Sequence, residues 1–222
     1  MPYAQGIWQD VSAIRDRQPL VVNLTNTVVT NTTANALLAL GGSPIMSESR
    51  LEIDELLALS QALVLNIGTL HSRQIALMQE SARSAMERQV PVVLDPVGAG
   101  ATRLRTDTAL ALIQQARPEI VRGNASEIMA LAGESIQSSG VDSRHLPEEA
   151  KEAAAALARA HACIVCVSGE EDVVTNGKEQ WCVRNGHVLM SKVTGTGCVA
   201  TALIGGFRAV NASALTATVN AM

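Results

Sequence analysis

An α/β fold, with a mostly parallel central sheet flanked by helices and an antiparallel meander at one edge, is predicted by three observations. Short apolar strand-like runs recur along the chain, stretches with apolar residues at helical spacing separate them, and two Asn-Gly pairs fall together late in the sequence. Strands buried on both faces read as continuous apolar runs, and helices between them imply parallel crossovers. Asn-Gly is a strong hairpin signal.

The strand-like runs are residues 20–24, 62–67, 90–94, 119–121 and 163–167. Residues 33–40 read as a helix that stops at Gly41-Gly42, and 51–60 and 73–88 carry apolar residues at helical spacing. Residues 106–116 and 126–131 continue the series, the latter stopped by Gly133. After Pro147 the alanine-rich run 148–159 opens on two glutamates and gains Arg159 late, as a helix prefers. The polar segment 134–144 is expected to be a mobile surface loop. Asn176-Gly177 and Asn185-Gly186 are each expected to separate two extended stretches between residues 173 and 190. Without an internal repeat or a low-complexity linker, residues 1–222 are expected to form a single domain.

The 222 residues are 47% hydrophobic, ample for a core, but with one Phe, one Tyr and two Trp. Aliphatic side chains must build that core, and a flat ligand would be held without much aromatic stacking. A net charge of −4 with no basic stripe argues against a nucleic-acid surface. No apolar run is long enough to span a bilayer and the first residues do not read as a signal peptide, so a cytoplasmic protein is expected.

A chain of this size needs no disulfide staples. Cys163 and Cys166 have redox or zinc spacing, but their run reads as a buried strand on which residues three apart face opposite sides, so two core thiols are expected. His71, His145, His161 and His187 are dispersed without ligand spacing.

Open α/β sheets bind ligands beyond the carboxyl ends of their strands. Polar or glycine-rich segments follow each run there: Thr25-Asn26, Gly68-Thr69, Asp95 to Gly100, Arg122-Gly123-Asn124 and Ser168-Gly169-Glu170. Gly195-Thr196-Gly197-Cys198 stands directly before a small apolar helical run, where backbone N–H groups can hold a phosphate or a developing oxyanion. It also has a plain reading as a turn and cap. Asn124 to Glu127 fits a capping box; the alternative sets Glu127 with Asp95 near a hydrated magnesium ion. Arg122 suits phosphate charge, and Ser168 suits a phosphate or its own turn. Cys198 at a helix start also admits a nucleophilic thiolate of lowered pKa, though none of the histidines is placed to assist it. Anion pocket, two carboxylates and arginine at one edge together favour phosphoryl transfer.

These segments are similar to those of hydroxyethylthiazole kinases, which have the ribokinase-like fold. The resemblance runs along nearly the whole chain and is most specific in residues 32–46, Asn66 to Thr69, Leu94 to Val97, Arg122 to Ile128 and Gly195 to Cys198. It implies ATP-dependent phosphorylation of the primary alcohol of 4-methyl-5-(2-hydroxyethyl)thiazole, with magnesium, in thiamine biosynthesis. By position, Asn26, Met46, Gly68, Thr69 and Gly195 would line the thiazole site, Arg122, Asn124 and Ser168 would contact ATP, and Asp95 and Glu127 would serve the metal. Gly195, Thr196, Gly197 and Cys198 would carry the catalytic end. Related kinases of the fold often have Asp where Cys198 stands, so the backbone there is expected to supply more of the rate than the thiol. A homotrimer with active sites between subunits is also implied. The chain departs in having Ser168 where Thr is usual. It is also expected to be short at the C-terminus, ending at Asn220-Ala221-Met222 inside a helical region.

Overall fold

The computed structural model describes residues 2–133 and 148–222. Its strands are β1 (Leu20–Leu24), β2 (Ser43–Met46), β3 (Ala62–Asn66), β4 (Val92–Asp95), β5 (Ile120–Asn124), β6 (Ile164–Ser168), β7 (Asp172–Thr175) and β8 (Gln180–Val183). They form one sheet in the order β2-β1-β3-β4-β5-β6-β7-β8, parallel through β6 and antiparallel for β7 and β8. The helices are α1 (Pro2–Arg17), α2 (Thr30–Leu40), α3 (Ile53–Leu59), α4 (Ser72–Glu87), α5 (Arg103–Ala116), α6 (Ala125–Leu131), α7 (Glu148–His161), α8 (Thr196–Arg208) and α9 (Ala214–Ala221). The expected α/β architecture is present. The segment 134–144, expected as a mobile loop, lies outside the described residues, as does His145.

Alternation along the strands sends successive side chains into two cores. Val22, Leu24, Leu63, Leu65 and Leu94 pack with Leu77, Met78, Leu112, Ile113 and Leu157 on the face of α4, α5 and α7. Val21, Val64, Val93 and Ile120 pack on the other face with Leu37, Ala202 and Ile204 of α2 and α8. Cys163 belongs to the first core and Cys166 to the second, as expected of small apolar fillers. Burial pushes their thiols up to about 11 and about 12. Gly205 lets α8 sit low on the sheet: a β-carbon there would lie 2.8 Å from Val64 Cγ2.

The structure corrects three expectations. Parallel strands were read only as far as their apolar residues, yet β5 continues through Arg122, Gly123 and Asn124, paired with Cys166, Val167 and Ser168. Asn176-Gly177 does not form a two-residue turn. Thr175 pairs with Gln180 across four loop residues, because Asn176 Oδ1 accepts from the amides of Lys178 and Glu179 (2.9 and 2.8 Å) and closes a wider turn. Asn185-Gly186 makes no hairpin at all. Neither residue takes the positive φ that a type I′ turn demands, the Asn185 side chain donates to the Met222 carbonyl instead, and a 3₁₀ turn follows at Val188–Lys192.

Candidate active site

The strand order changes direction between β1 and β3, which places a crevice at the carboxyl ends of the central strands. Asn66, Asp95, Asn124 and Ser168 are the last residues of their strands, so one edge of the sheet carries a row of polar groups.

At the centre lies a buried chain of hydrogen bonds. Asn26 Nδ2 donates to Asn66 Oδ1 (2.8 Å) and to Cys198 Sγ (3.5 Å). Asn66 Oδ1 also accepts from the Gly68 amide (3.0 Å), and its Nδ2 donates to Asp95 Oδ2 (2.8 Å). Thr201 Oγ1, one turn along α8 from Gly197, donates to the same carboxylate oxygen (2.8 Å). Burial raises the Asp95 carboxyl to about 6, against the charge of Arg122 and the Thr201 bond that pull it down.

Toward β6, Arg122 Nη2 donates to Ser168 Oγ (2.6 Å), while its buried Nε has no partner among the described residues. A β-carbon on Gly197 would stand 2.5 Å from Arg122 Nη1, so this guanidinium lies against the first turn of α8. That turn starts from Gly195, whose φ of +81° suits glycine and whose missing β-carbon leaves room for Val29 Cγ1, 2.3 Å from where it would be. The N–H groups of Thr196, Gly197 and Cys198 precede the helix's own acceptors. Together with the orphaned Nε of Arg122, they are suited to an anionic group.

Asn124 and Glu127 form the capping box of α6: Asn124 Oδ1 accepts from the Glu127 amide (2.9 Å), and the Asn124 amide donates to Glu127 Oε2 (2.8 Å). Glu127 Oε1 is used as well, accepting from the Gly98 amide (2.7 Å). The capping-box reading of this element is therefore present, and both carboxylate oxygens of Glu127 are held by main-chain amides. Toward β1, the Thr27 amide donates to Thr69 Oγ1 (3.2 Å), joining the two loops expected to hold the substrate. Met46 stands one strand out, at the end of β2 in register with Asn23. The structure thus brings Asn26, Gly68, Asp95 and Cys198 into one network and Arg122, Ser168 and Gly197 into another, with Asp95 next to both.

The alternative of a nucleophilic Cys198 thiolate finds no support. Cys198 does not have the lowered pKa of an activated helix-terminal thiol; burial and the neighbouring Asp95 charge raise it. Asn66 and Thr201 were not anticipated as site residues. The signal for Asn66 was its place at a strand end beside Asp95; for Thr201 it was its spacing of four from Gly197, which sets both on one helix face. His71 and His187 serve as helix caps, accepting from the amides of Gln74 and Leu189.

Residues 11–222 match the hydroxyethylthiazole kinase family. The chain belongs to that family. It is 51% identical over 216 residues to the hydroxyethylthiazole kinase of Nitratidesulfovibrio vulgaris (strain DP4), covering 97% of this chain and 81% of that one. The solved structure of a hydroxyethylthiazole kinase protein from Pyrococcus horikoshii OT3 superposes with a TM-score of 0.88 at 44% identity, over 97% of this chain and 80% of that one. A ribokinase-like superfamily protein from Enterococcus faecalis superposes at 0.63 with 11% identity, over 91% and 75% of the two chains, a likeness of fold alone. The fold of this hydroxyethylthiazole kinase family member is therefore ribokinase-like, and its family chemistry is ATP-dependent phosphoryl transfer. Among the described residues, no helix is long and apolar enough to cross a membrane.

Proposed function

We propose that this chain transfers the γ-phosphoryl group of ATP to the primary hydroxyl of 4-methyl-5-(2-hydroxyethyl)thiazole, giving the thiazole monophosphate used in thiamine biosynthesis. The observation that carries the reading is the contact of Arg122 with the first turn of α8, directly beside the buried Asn26-Asn66-Asp95-Thr201 network. Donor and acceptor sites then share one boundary, at Asp95. Residues 1–222 act as one kinase unit in this reading, placed in the cytoplasm where ATP is supplied.

The thiazole lies among Asn26, Met46, Gly68, Thr69 and Gly195, with its hydroxyl toward Asp95 and Cys198. Arg122, Asn124 and Ser168 face ATP. A bond forms from the hydroxyl oxygen to the γ-phosphorus as the bond to the ADP oxygen breaks, and the hydroxyl proton leaves toward the Asp95 end. Such loose transfers need alignment and charge stabilisation more than a strong base. The first-turn amides of α8 and the Arg122 guanidinium supply that stabilisation as negative charge spreads over the moving group.

Asp95 and Glu127 are the carboxylates that would serve magnesium. Asp95 closes β4 and Glu127 stands in the first turn of α6, after β5; carboxylate oxygens suit this hard cation, and water would supply the rest of its ligands. When bound, magnesium neutralises phosphate charge.

Assembly as a homotrimer with shared sites belongs to the same proposal. Val188, Leu189, Met190 and Val193 precede the anion site with side chains 50–77% exposed, an apolar surface that a neighbouring subunit would cover. The chain's mass in solution tests this.

The test of function is incubation with ATP, magnesium and hydroxyethylthiazole, with a hydroxymethylpyrimidine as competitor. Thiazole monophosphate detected by mass is the expected result; phosphorylation of the pyrimidine alone would reject the reading. Cys198→Ala is expected to lower kcat by no more than about tenfold, because a thiol held protonated is a poor base, whereas loss of a true general base costs about 10²–10⁴-fold. Steady-state rates decide between them.

A further inference from the structure

Arg105 lies in the first turn of α5, outside every group discussed so far, and is half-buried. Its guanidinium donates to three backbone carbonyls: Nη1 to Ile67 (3.1 Å) and Val97 (2.6 Å), and Nη2 to Gly68 (2.8 Å). Among the described residues no carboxylate forms an ion pair with it. The charge is directed entirely at main chain from two loops, the one after β3 and the one after β4.

Those loops serve opposite ends of the site. Gly68 lies against Asn26 in the loop whose Thr69 accepts from the Thr27 amide, and Gly98 donates its amide to Glu127. Gly98 has a φ of +76°, and a β-carbon there would stand 2.9 Å from Arg105 Cδ, so the second loop is laid directly on the arginine stem. Thr106 adds a further tie, accepting from the Gly100 amide (2.8 Å). A planar fork that spans three carbonyls holds them at fixed mutual positions, which a single ammonium point cannot do.

We infer that Arg105 is a positioning residue that clamps the acceptor-alcohol loop at Ile67-Gly68 to the loop at Val97-Gly98, and so sets the alignment of alcohol and phosphoryl group. The inference rests on the kinase reading for its effect on rate, but the clamp itself is observable without turnover.

The experiment compares wild type, Arg105→Ala and Arg105→Lys in two measurements. Amide hydrogen exchange at Gly68, Gly98 and Ala99 reads the clamp. Exchange about tenfold faster in Arg105→Ala is expected, and wild-type protection at all three would overturn the inference. Steady-state kinetics read its consequence. The KM for hydroxyethylthiazole is expected to rise about tenfold and kcat to fall by about ten- to a hundredfold, since misplacement near 1 Å costs about 10²-fold. The KM for ATP should stay within about threefold, because Arg122 and Ser168 are untouched. Arg105→Lys keeps the charge and most of the stem that packs on Gly98, and it decides the matter should the alanine variant fail to fold. It is expected to lose nearly as much as alanine, and full wild-type rates in it would show that charge alone suffices and overturn the fork. If the wild type itself makes no thiazole phosphate, the kinase reading fails and the exchange measurement alone decides the clamp.

Discussion

Asp95→Asn is expected to remove about 10²–10³ of turnover and yet to raise the melting temperature. The carboxyl is 1% exposed and its pKa is raised from 3.8 to about 6, chiefly by desolvation. The folded state therefore holds a proton that the unfolded chain releases between those two values. Stability contributed by this group is present below the unfolded pKa and is lost as pH rises through about 6. Above that, ionised Asp95 costs the fold about 3 kcal/mol. Asparagine carries no such charge, and its Oδ1 can still accept from Asn66 and Thr201. For a chain of this size the gain corresponds to roughly 6–12 °C at pH 8. The difference should shrink toward pH 4, where the native Asp95 is already neutral. Thermal melts of both proteins at the two pH values, in magnesium-free buffer, check the sign. An equal melting temperature at pH 8 would show that Asp95 is ionised in the fold without penalty. The loss of turnover follows because the neutral amide removes a negative oxygen from the meeting point of both halves of the site.

The second large effect is at Arg122. Arg122→Ala is expected to lower kcat/KM for ATP by about 10³-fold, the scale at which loss of a guanidinium near a transferring phosphoryl group is felt. The group is already oriented before a nucleotide arrives: Nη2 is bonded to Ser168 at 2.6 Å, the fork lies against Gly197, and the buried Nε has no partner among the described residues. Orientation in advance is what makes such a donor effective. Arg122→Lys should recover little, since one ammonium cannot serve both Ser168 and an anion at the α8 turn. Arg122 also pulls the Asp95 carboxyl down, so its removal should move the acid limb of the activity profile to higher pH. Initial rates with varied ATP at saturating thiazole alcohol, repeated from pH 5 to pH 8, test both effects. Nearly normal ATP kinetics in Arg122→Ala would place the phosphates elsewhere.

The parallel core was legible because β1, β3, β4 and β6 are apolar on both faces, which leaves continuous runs. The edge strand β2 was not legible: four residues including Pro44 make no run, and a proline is tolerated there because an edge strand has a side without hydrogen bonds. The long helix α1 also escaped notice, its amphipathic pattern being diluted by polar residues. Among site residues, those at strand ends could be placed from the βα pattern. Their partners could not. Thr201 and Asp95 are 106 residues apart in sequence and Asn26 and Cys198 are 172 apart, so only the folded chain shows that these groups share protons. Arg105 carries no local signal either, because what it recognises is backbone, which every residue has.

The low seat of α8 on the sheet makes the helix a lever. Its fulcrum is the contact of Gly205 with Val64, and its working end is the turn at Gly195 to Cys198, ten residues and about 15 Å away. A tilt of about 4° at the fulcrum would swing that end by about 1 Å, enough to spoil an aligned phosphoryl transfer. Volume changes at Val21, Val64 or Gly205 should therefore register in rate before they register in melting temperature. Selection for a better-filled core would be constrained at these positions by kinetics, far from any atom that touches a ligand.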